Sequence, residues 1–444
     1  MSRYFVISPN VDGSGGKVED FLKTMFDEHV TLMGWDSDNS KGQMFRNMDV
    51  GDYVICAQGA NRNKRVFFAG KVSSKTYGDW PFQRRLSGFV DLRNNEVLFD
   101  ESNSYGAASQ IPAIYELKKN VPSDKKICNT IKNIVDMAEK NESIEKLAHL
   151  VANNKNLILT GAPGTGKTYL AKTVAKMLGV DDDRIGFVQF HPSYDYTDFI
   201  EGLRPIHKEG STEIGFERKD GVFLEFCRKA LASPKENFVF IIDEINRGEI
   251  SKIFGELFFS IDPGYRGEEG KVFTQYSNLW KEEDYYDTKQ EGDERKKFYV
   301  PKNVYIIGTM NDIDRSVESM DFAFRRRFAF KEIKASENTG MLDELGNEDL
   351  KKIALSRMEL LNNEISQCPG LNSSYHIGAS YFLKLNNYTE ESSDEQFVQL
   401  WDNHLETLLK EYLRGLPDAD TLLEKMRMAY FGTNPKADDN EAAN

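Results

Sequence analysis

The residues best suited to chemistry lie in one short segment, Gly161-Ala-Pro-Gly-Thr-Gly-Lys-Thr168, which fits the pattern G-x-x-x-x-G-K-[ST]. Glycines let backbone N–H groups approach phosphate oxygens, and a helix that follows such a loop turns its positive end toward them. We expect Lys167 to contact the β- and γ-phosphates of a nucleotide and the Thr168 hydroxyl to ligate Mg²⁺. The residues assigned to nucleotide binding are Gly161, Ala162, Pro163, Gly164, Thr165, Gly166, Lys167, Thr168 and Tyr169.

Two later apolar runs also end in polar side chains. The run Phe238–Ile242 ends in Asp243 and Glu244, and the run from Asn303 to Gly308 leads to Asn311. We predict that Asp243 holds Mg²⁺ and that Glu244 polarises the attacking water. Asn311, at a neighbouring strand end, would orient the same water by a hydrogen bond.

Three consecutive arginines, Arg325, Arg326 and Arg327, end a short predicted helix. Successive helical residues point about 100° apart, so the three guanidinium groups cannot share one partner. We expect Arg326 or Arg327 to reach the γ-phosphate bound by a neighbouring subunit, as an arginine finger. The pattern leaves open which arginine it is, and a salt-bridged surface cluster is the alternative.

Apolar strands alternate with helices from Asn156 onward, which predicts an α/β fold with a parallel sheet and helices on both faces. Helical segments take over after Ile333 and predict a C-terminal helical lid. The predicted strands are Asn156–Thr160, Ile185–Phe190, Phe238–Ile242, Val304–Gly308 and Phe328–Ile333, and the lid helices are Leu350–Gln367, Gln396–Leu413 and Asp418–Tyr430. The polar stretch Glu268–Lys297 is interpreted as an insertion.

The N-terminal part alternates apolar and polar residues at strand spacing, with one amphipathic helix at Val18–Val30. It predicts a small α+β module, and Lys118–Asp124, which contains Pro122, reads as a linker. The predicted domains are the module (1–115), a linker and helix (116–150), the nucleotide-binding subdomain (151–333), the lid (334–432) and a disordered tail (433–444).

Composition excludes several classes of protein. The 444 residues carry a net charge of −14, 40% are hydrophobic, and the mean hydropathy is −0.55. Because no apolar stretch approaches about 18 residues and the chain opens with a strand pattern, we expect neither a membrane span nor a secretory signal, and a cytoplasmic location. The widely spaced Cys56, Cys128, Cys227 and Cys368 favour reduced thiols over a zinc site or a disulfide framework.

The order of these motifs resembles that of AAA+ P-loop NTPases and, more specifically, the McrB family. The resemblance covers about residues 150–430. It is carried by Asp243-Glu-Ile-Asn-Arg247, Ile253-Phe-Gly-Glu-Leu257, Met310-Asn-Asp-Ile-Asp-Arg-Ser316, Asp321 with Arg325-Arg-Arg-Phe328, the stretch Phe190–Pro205 and the lid's His376-Ile-Gly-Ala-Ser-Tyr-Phe382. The family pattern Met-Asn-Thr-Ala-Asp-Arg-Ser differs here at Asp312 and Ile313.

The resemblance implies a GTP-hydrolysing motor of a modification-dependent restriction system. It also implies hexameric rings and a separate McrC-like nuclease that docks on the ring and stimulates hydrolysis. The guanine-reading tetrapeptide Asn-Lys-x-Asp does not occur in the chain, so GTP rests on the resemblance alone and ATP stays an alternative. The chain shows no convincing Asp-(x)n-Glu-x-Lys nuclease pattern on a strand, so cleavage is expected from the partner.

The N-terminal module resembles EVE/YTH-like β-barrels of the PUA superfamily, through Met48–Ile55 and Val66–Val72. Such domains flip a modified base into an aromatic cage, which would make DNA with modified bases the ligand. Between Asn61 and Arg93, eight Lys/Arg face two acidic residues, which favours a phosphate-facing surface. The candidate pocket residues are Ser8, Asn10, Trp35, Tyr77 and Trp80, and the candidate phosphate contacts are Arg62, Arg65, Arg84 and Arg85.

Other interpretations stay open at this point. Trp35 and Trp80 would equally fill the core of a small barrel, and the basic residues would equally form a solvated face. A MoxR-like ATPase that remodels protein complexes is the alternative function. A third interpretation makes nucleic-acid reading the main function, beside a weakly active P-loop domain.

Overall fold

The computed structural model describes residues 2–9, 18–34, 39–58, 65–74, 82–94, 114–118, 120–207, 214–287, 291–313, 322–388 and 392–432. Its contacts divide the chain into two compact units, an N-terminal unit (Met1–Lys146) and a C-terminal unit (Leu147–Asn444). The predicted tail, 433–444, lies outside the described residues.

Within its described residues, the N-terminal unit contains six strands, two short helices and the greater part of a long helix. In chain order these are β1 (Tyr4–Ile7), α1 (Val18–Glu28), β2 (Val30–Met33), α2 (Ser40–Arg46), β3 (Tyr53–Gln58), β4 (Arg65–Val72), β5 (Phe82–Asp91), β6 (Ile114–Glu116) and α3 (Pro122–Asn154).

The six strands form one mixed sheet in the order β2-β5-β4-β3-β1-β6, in which β1 and β3 run parallel. Both faces are covered. Phe5 and Ile7 of β1 join a buried cluster with residues of α1 and α2, whereas Tyr4 and Val6 join residues of α3. The α+β prediction is confirmed. In the described residues no pairing joins β2 to β6, so the closed barrel stays a prediction.

The linker predicted at Lys118–Asp124 is shorter in the structure, because a helix begins within it. Pro122 is the first residue of α3, where its missing N–H costs nothing because the first helical amides have no intrahelical acceptor. Asp124 is buried and accepts a hydrogen bond from the Lys118 amide at 3.0 Å. The Tyr53 hydroxyl donates to Asp136 at 2.6 Å, in keeping with the placement of α3 as far as Lys146 in the N-terminal unit.

The C-terminal unit contains the predicted alternation of strands and helices. Its elements through the sheet are β7 (Asn156–Thr160), α4 (Lys167–Met177), β8 (Ile185–Gln189), α5 (Tyr196–Phe199), β9 (Glu201–His207), β10 (Ile214–Asp220), α6 (Val222–Ala232), β11 (Phe238–Asp243), α7 (Ile250–Phe254), α8 (Leu257–Ser260), β12 (Val272–Phe273), β13 (Lys297–Phe298), β14 (Val304–Thr309), α9 (Phe322–Arg325) and β15 (Ala329–Glu332).

Five of these strands form a parallel sheet in the order β15-β7-β14-β11-β8. Strand β11 is buried along five of its six residues, because helices cover both faces of a parallel sheet and every side chain meets apolar neighbours. Ile242 pairs with Gly308 and Thr309 pairs with Leu159. The carboxyl ends of β7, β14 and β11 therefore meet at one edge, as predicted.

Two features beside this sheet differ from the prediction. Strands β9 and β10 form an antiparallel hairpin that the sequence analysis did not identify. The stretch interpreted as an insertion is anchored on the core, since its Trp280 and Tyr286 are each 4% exposed and lie in the main buried cluster. The indole N–H of Trp280 donates to the buried Glu201 carboxylate at 2.7 Å, which fastens this stretch to the hairpin.

The lid is helical, as predicted. It comprises α10 (Glu348–Gln367), α11 (Ser393–Leu400), α12 (Glu406–Tyr412) and α13 (Ala419–Phe431), with a π-helical turn at Trp401–Leu405 between α11 and α12. A buried apolar cluster of its own holds it together. No helix of the described residues is long and apolar enough to cross a membrane. All four cysteines are buried free thiols.

Candidate nucleotide-binding site

The loop between β7 and α4 owes its shape to three glycines. Gly161, Gly164 and Gly166 have φ angles of 142°, 77° and 78°, a region that residues with a side chain rarely adopt. Gly166 caps the N-terminus of α4, and Lys167 and Thr168 form its first turn. Because the first amides of a helix have no intrahelical acceptors, this end of α4 presents N–H groups to an anion.

Lys167 is 7% exposed and lies inside the loop. Its ammonium donates to the carbonyls of Gly161 and Ala162 at 3.0 and 2.9 Å and to Asn311 Oδ1 at 2.9 Å. Burial lowers the pKa of Lys167 to about 8, against the opposing effect of nearby carboxylates. A phosphate at this position would supply the negative charge that favours the protonated form.

Asp243, the last residue of β11, accepts two hydrogen bonds on the same carboxylate oxygen. Thr168 Oγ1 donates to Oδ1 at 2.7 Å, and Thr309 Oγ1 donates to it at 2.6 Å. Carboxylate and hydroxyl oxygens suit Mg²⁺, which is usually held by one or two carboxylates together with substrate phosphates. The described residues contain no group of three His, Cys, Asp or Glu that would hold a metal alone, and the residues present fit an ion completed by phosphates.

Glu244 has a left-handed backbone, with φ 51° and ψ 45°. Asn311 Nδ2 donates to Glu244 Oε1 at 2.7 Å, and Arg247 Nε lies 3.3 Å from Oε2. The Asn311 amide therefore bridges the ammonium of Lys167 and the carboxylate of Glu244. This arrangement holds the carboxylate beside the phosphate loop, where it can polarise a water molecule.

These residues line one cavity of about 240 Å³. The structure brings Lys167, Thr168, Asp243, Glu244 and Asn311 together in it, and the sequence analysis had placed all five in one site. The full lining is Pro163, Gly164, Gly166, Lys167, Thr168, Asp243, Glu244, Thr309, Asn311 and Ser380. Tyr169, the last residue assigned to the nucleotide, is 56% exposed.

The lid contacts the phosphate loop directly. The amides of Gly378 and Ser380 donate to the carbonyls of Pro163 and Gly164, each at 3.0 Å. Asn338 Nδ2 donates to the Thr165 carbonyl, also at 3.0 Å. A side chain on Gly378 would collide with the backbone of Gly164 and Thr165. The lid and the phosphate loop are therefore joined by backbone contacts that leave no room for a side chain at position 378.

Sequence reasoning missed three residues of this site. Arg247 stands within a motif that had been singled out, and Thr309 lies between the run that ends at Gly308 and Asn311, but no role was given to either. Ser380 comes from the lid, more than 200 residues after the loop that it contacts. Only its presence in the stretch His376–Phe382 could have drawn attention to it.

The arginines differ in exposure. Arg326 is exposed, whereas Arg327 is 8% exposed. Arg327 donates to the Ala323 carbonyl, and its guanidinium carbon lies 4.7 Å from the centre of the Phe258 ring. This corrects the expectation that Arg327 is available to a neighbouring subunit. Asp314, Arg315, Ser316 and Asp321 of the quoted motifs lie outside the described residues.

The predicted DNA-binding residues are only partly described. Asn10, Trp35, Arg62, Tyr77 and Trp80 lie outside the described residues, Ser8 is half-buried, and Arg65 and Arg85 are exposed.

Arg84 requires a correction, because it is 3% exposed and donates to the Arg46 carbonyl at 2.7 Å. It cannot serve as a surface contact for phosphates. Two other residues of the basic region form ion pairs, Lys71 with Glu139 at 2.9 Å and Arg93 with Asp91 at 2.5 Å.

A larger cavity of about 490 Å³ lies beside the hairpin of β9 and β10 and is lined in part by His191, Tyr194 and Glu225. Two of its charged groups pair with each other, since Arg204 lies 2.6 Å from Asp198. It contains none of the phosphate-loop residues. We therefore assign nucleotide binding to the smaller cavity, which the phosphate loop lines.

Family models match two parts of the chain. Residues 156–328 match the AAA domain of the dynein-related subfamily, and residues 354–419 match the alpha-helical lid domain of McrB. The first match covers four of the five strands of the parallel sheet, the phosphate loop, Asp243, Glu244 and Asn311. The second covers the middle of the lid, from within α10 to the first residue of α13.

Two curated relatives are restriction-enzyme components. The McrB subunit of a type IV methyl-directed restriction enzyme from Escherichia coli is 38% identical over 288 residues, which are 59% of this chain and 58% of the relative. Component YdiS of the type II restriction enzyme BsuMI from Bacillus subtilis is 30% identical over 231 residues, 47% of this chain and 66% of the relative. The chain thus spans less than two thirds of either relative.

Among solved structures, that of PCH-2 from C. elegans matches 66% of this chain and 69% of its own, with 14% identity and a TM-score of 0.23. A similarity this low bears on neither fold nor function.

Proposed function

Because the chain belongs to the McrB family by its AAA domain and its lid, we propose that it is the nucleotide-hydrolysing motor and DNA-recognition subunit of a modification-dependent restriction system. The observation that carries the proposal is the cavity in which Lys167, Thr168, Asp243, Glu244 and Asn311 meet. Both curated relatives are components of restriction enzymes, which supports the proposed system.

Each of these residues has a step in the proposed hydrolysis. Lys167 and the amides at the start of α4 bind the phosphates. Thr168 and Asp243 hold Mg²⁺, which when bound neutralises charge on the phosphates. Glu244 polarises the attacking water. Asn311 keeps the Glu244 carboxylate directed at the phosphate loop, because its side-chain amide donates a 2.7 Å hydrogen bond to that carboxylate.

The site is completed by a neighbouring subunit in this proposal. Arg326 is exposed near the end of α9 and would reach the γ-phosphate bound by the next copy, where an arginine finger is worth about 10³–10⁵ in rate. A finger in trans requires an interface between copies of the chain, and a hexameric ring is proposed on the family resemblance. GTP is the favoured nucleotide on the same ground, with ATP as the alternative.

The N-terminal unit is proposed as the reader of a modified base. The support is its α+β sheet, its resemblance to EVE/YTH-like domains and the two exposed arginines Arg65 and Arg85. A McrC-like nuclease is proposed to make the cut, because the chain offers no convincing nuclease pattern of its own. The assembly is proposed to work in the cytoplasm.

Reconstitution of DNA cleavage tests the proposal. The chain is mixed with the nuclease encoded by a neighbouring gene, and methylated and unmethylated plasmids are incubated with GTP, ATP or no nucleotide. We expect cleavage of methylated DNA with GTP, and none when Lys167→Ala replaces the native chain. Equal cleavage of both plasmids without nucleotide would overturn the proposal, as would nucleotide-dependent activity that ignores DNA.

A further inference from the structure

Thr309, the last residue of β14, carries a hydroxyl that has two partners in the candidate site. The residue is 3% exposed. Its Oγ1 donates to Asp243 Oδ1 at 2.6 Å and accepts from the Glu244 backbone N–H at 3.3 Å. One hydroxyl therefore contacts the residue assigned to Mg²⁺ and the residue assigned to water.

The contact with Asp243 is a charge-assisted hydrogen bond, which is stronger than one between neutral groups. Thr168 Oγ1 donates to the same oxygen at 2.7 Å. The two hydroxyls thus hold one carboxylate oxygen from two sides, one from the start of α4 and one from the end of β14. This leaves the Asp243 side chain little rotational freedom.

The contact with Glu244 acts on the backbone. Glu244 has a φ angle of 51°, and a non-glycine residue keeps such a conformation only where the surroundings determine it. The Thr309 hydroxyl accepts the Glu244 amide in that conformation. It thereby helps to keep the side chain where Asn311 reaches its carboxylate.

We propose that the Thr309 hydroxyl is a positioning group that couples the Mg²⁺-binding carboxylate of Asp243 to the water-polarising Glu244. The inference rests on the proposed function, since it assigns Thr309 a part in that same site. A merely structural threonine would need its shape at this buried position. A positioning threonine needs its hydroxyl.

Two pairs of variants separate these roles. Thr309→Val keeps the shape and removes the hydroxyl, whereas Thr309→Ser keeps the hydroxyl and removes one methyl group. Thr309→Ala lacks both, so it differs from Thr309→Ser by the hydroxyl alone and carries the same prediction should the valine variant not fold. Thr31→Val, at a buried threonine of the N-terminal unit whose hydroxyl has no hydrogen-bond partner in the described residues, is the control for exchanging a buried threonine for valine away from the site.

The first readout is binding, measured on the full-length chain with Glu244→Gln so that no turnover interferes. A fluorescent GTP analogue, with an ATP analogue in parallel, is titrated in EDTA and then at increasing Mg²⁺. We expect Thr309→Val to bind as its parent does in EDTA but to need about 10- to 100-fold more Mg²⁺ for half-maximal enhancement. Thr309→Ser and Thr31→Val should stay within about threefold of the parent.

The second readout is turnover with Glu244 intact, where Thr309→Val should lower kcat more than it raises KM. Equal Mg²⁺ dependence of Thr309→Val and the parent would overturn the inference, as would equal losses in the serine and valine variants. If the unsubstituted chain neither binds nor hydrolyses nucleotide, the proposed function fails, and the inference fails with it. If that chain is active and the valine variant matches it, the inference alone fails.

Discussion

Replacing Arg327 by alanine should lower the free energy of unfolding of the C-terminal unit, whereas replacing Arg326 by alanine should leave it unchanged. Arg327 donates to the Ala323 carbonyl, its Nε lies 3.7 Å from Asp262 Oδ2, and its guanidinium rests on Phe258. Arg326 is the next residue along the chain and is exposed. The two variants therefore remove the same kind of side chain, one from a buried position and one from an exposed position.

The size of the effect follows from these contacts. A desolvated cation–π contact is worth about 1–2 kcal/mol, and loss of one partner from a fully buried ion pair costs about 3–5 kcal/mol. Asp262 is 26% exposed in its side chain, so water takes over part of its pairing and the second contribution is reduced. We expect about 2–3 kcal/mol less free energy of unfolding for Arg327→Ala, and under about 0.5 kcal/mol for Arg326→Ala.

Denaturant unfolding of the full-length chain measures both values, and a hydrolysis assay is run on the same samples. Arg326→Ala should bind nucleotide normally and lose about 10³-fold or more in turnover. Mixing it with Glu244→Gln should restore activity, because some interfaces then combine an intact carboxylate with an intact arginine. Normal stability of Arg327→Ala together with lost turnover would refute the reasoning and make Arg327 the finger.

Three further predictions concern the loop, the lid and the DNA surface. Lys167→Ala should weaken nucleotide binding at least about tenfold, because it removes the phosphate counter-charge, whereas Glu244→Gln should keep binding and stop turnover in the same titrations. Gly378→Ala should weaken nucleotide binding, because its new methyl group collides with the phosphate loop; Gly264→Ala, whose added carbon meets only Asp262 at an ordinary 3.5 Å, is the control. Arg85→Glu should weaken binding to methylated and plain DNA alike, and the slope of log K against log salt concentration should become shallower by about 1 or more. A loss of affinity confined to methylated DNA would contradict a phosphate contact at Arg85.

The parallel sheet and the phosphate loop could be read from the sequence because their physical requirements are local. A strand buried on both faces must be apolar along its length, as Phe238–Ile242 is. A loop that curls around phosphate needs glycines at left-handed positions, and Gly164 and Gly166 occupy them. The strand ends then place Asp243 and Asn311 beside the loop by topology alone.

What could not be read depends on packing between distant segments. The contact of Gly378 with Pro163 joins residues more than 200 positions apart, and no pattern near either residue signals it. The hairpin of β9 and β10 exposes most of its residues, so it lacks the alternation that marks a half-buried strand. Its two strands are joined instead through the buried Glu201 carboxylate, which Arg218 approaches at 2.8 Å.

The two arginine corrections have one physical reason. Successive residues on a strand point to opposite faces, so Arg84 and Arg85 could not both lie on a DNA-facing surface, and the structure buries Arg84. Arg326 and Arg327 lie in the turn after α9, where the backbone likewise directs one side chain to solvent and buries the other. The sequence shows that a cluster is basic, but local geometry decides which member solvent or a partner can reach.

The rate of nucleotide hydrolysis by the purified chain, compared with that of Glu244→Gln, tests the central claim most directly. Released phosphate is measured with GTP and with ATP in Mg²⁺, and nucleotide binding is measured on both proteins. The account predicts hydrolysis with a preference for GTP, and tight binding without hydrolysis in the variant. Unchanged hydrolysis by Glu244→Gln, or no binding of either nucleotide by the unsubstituted chain, would contradict it.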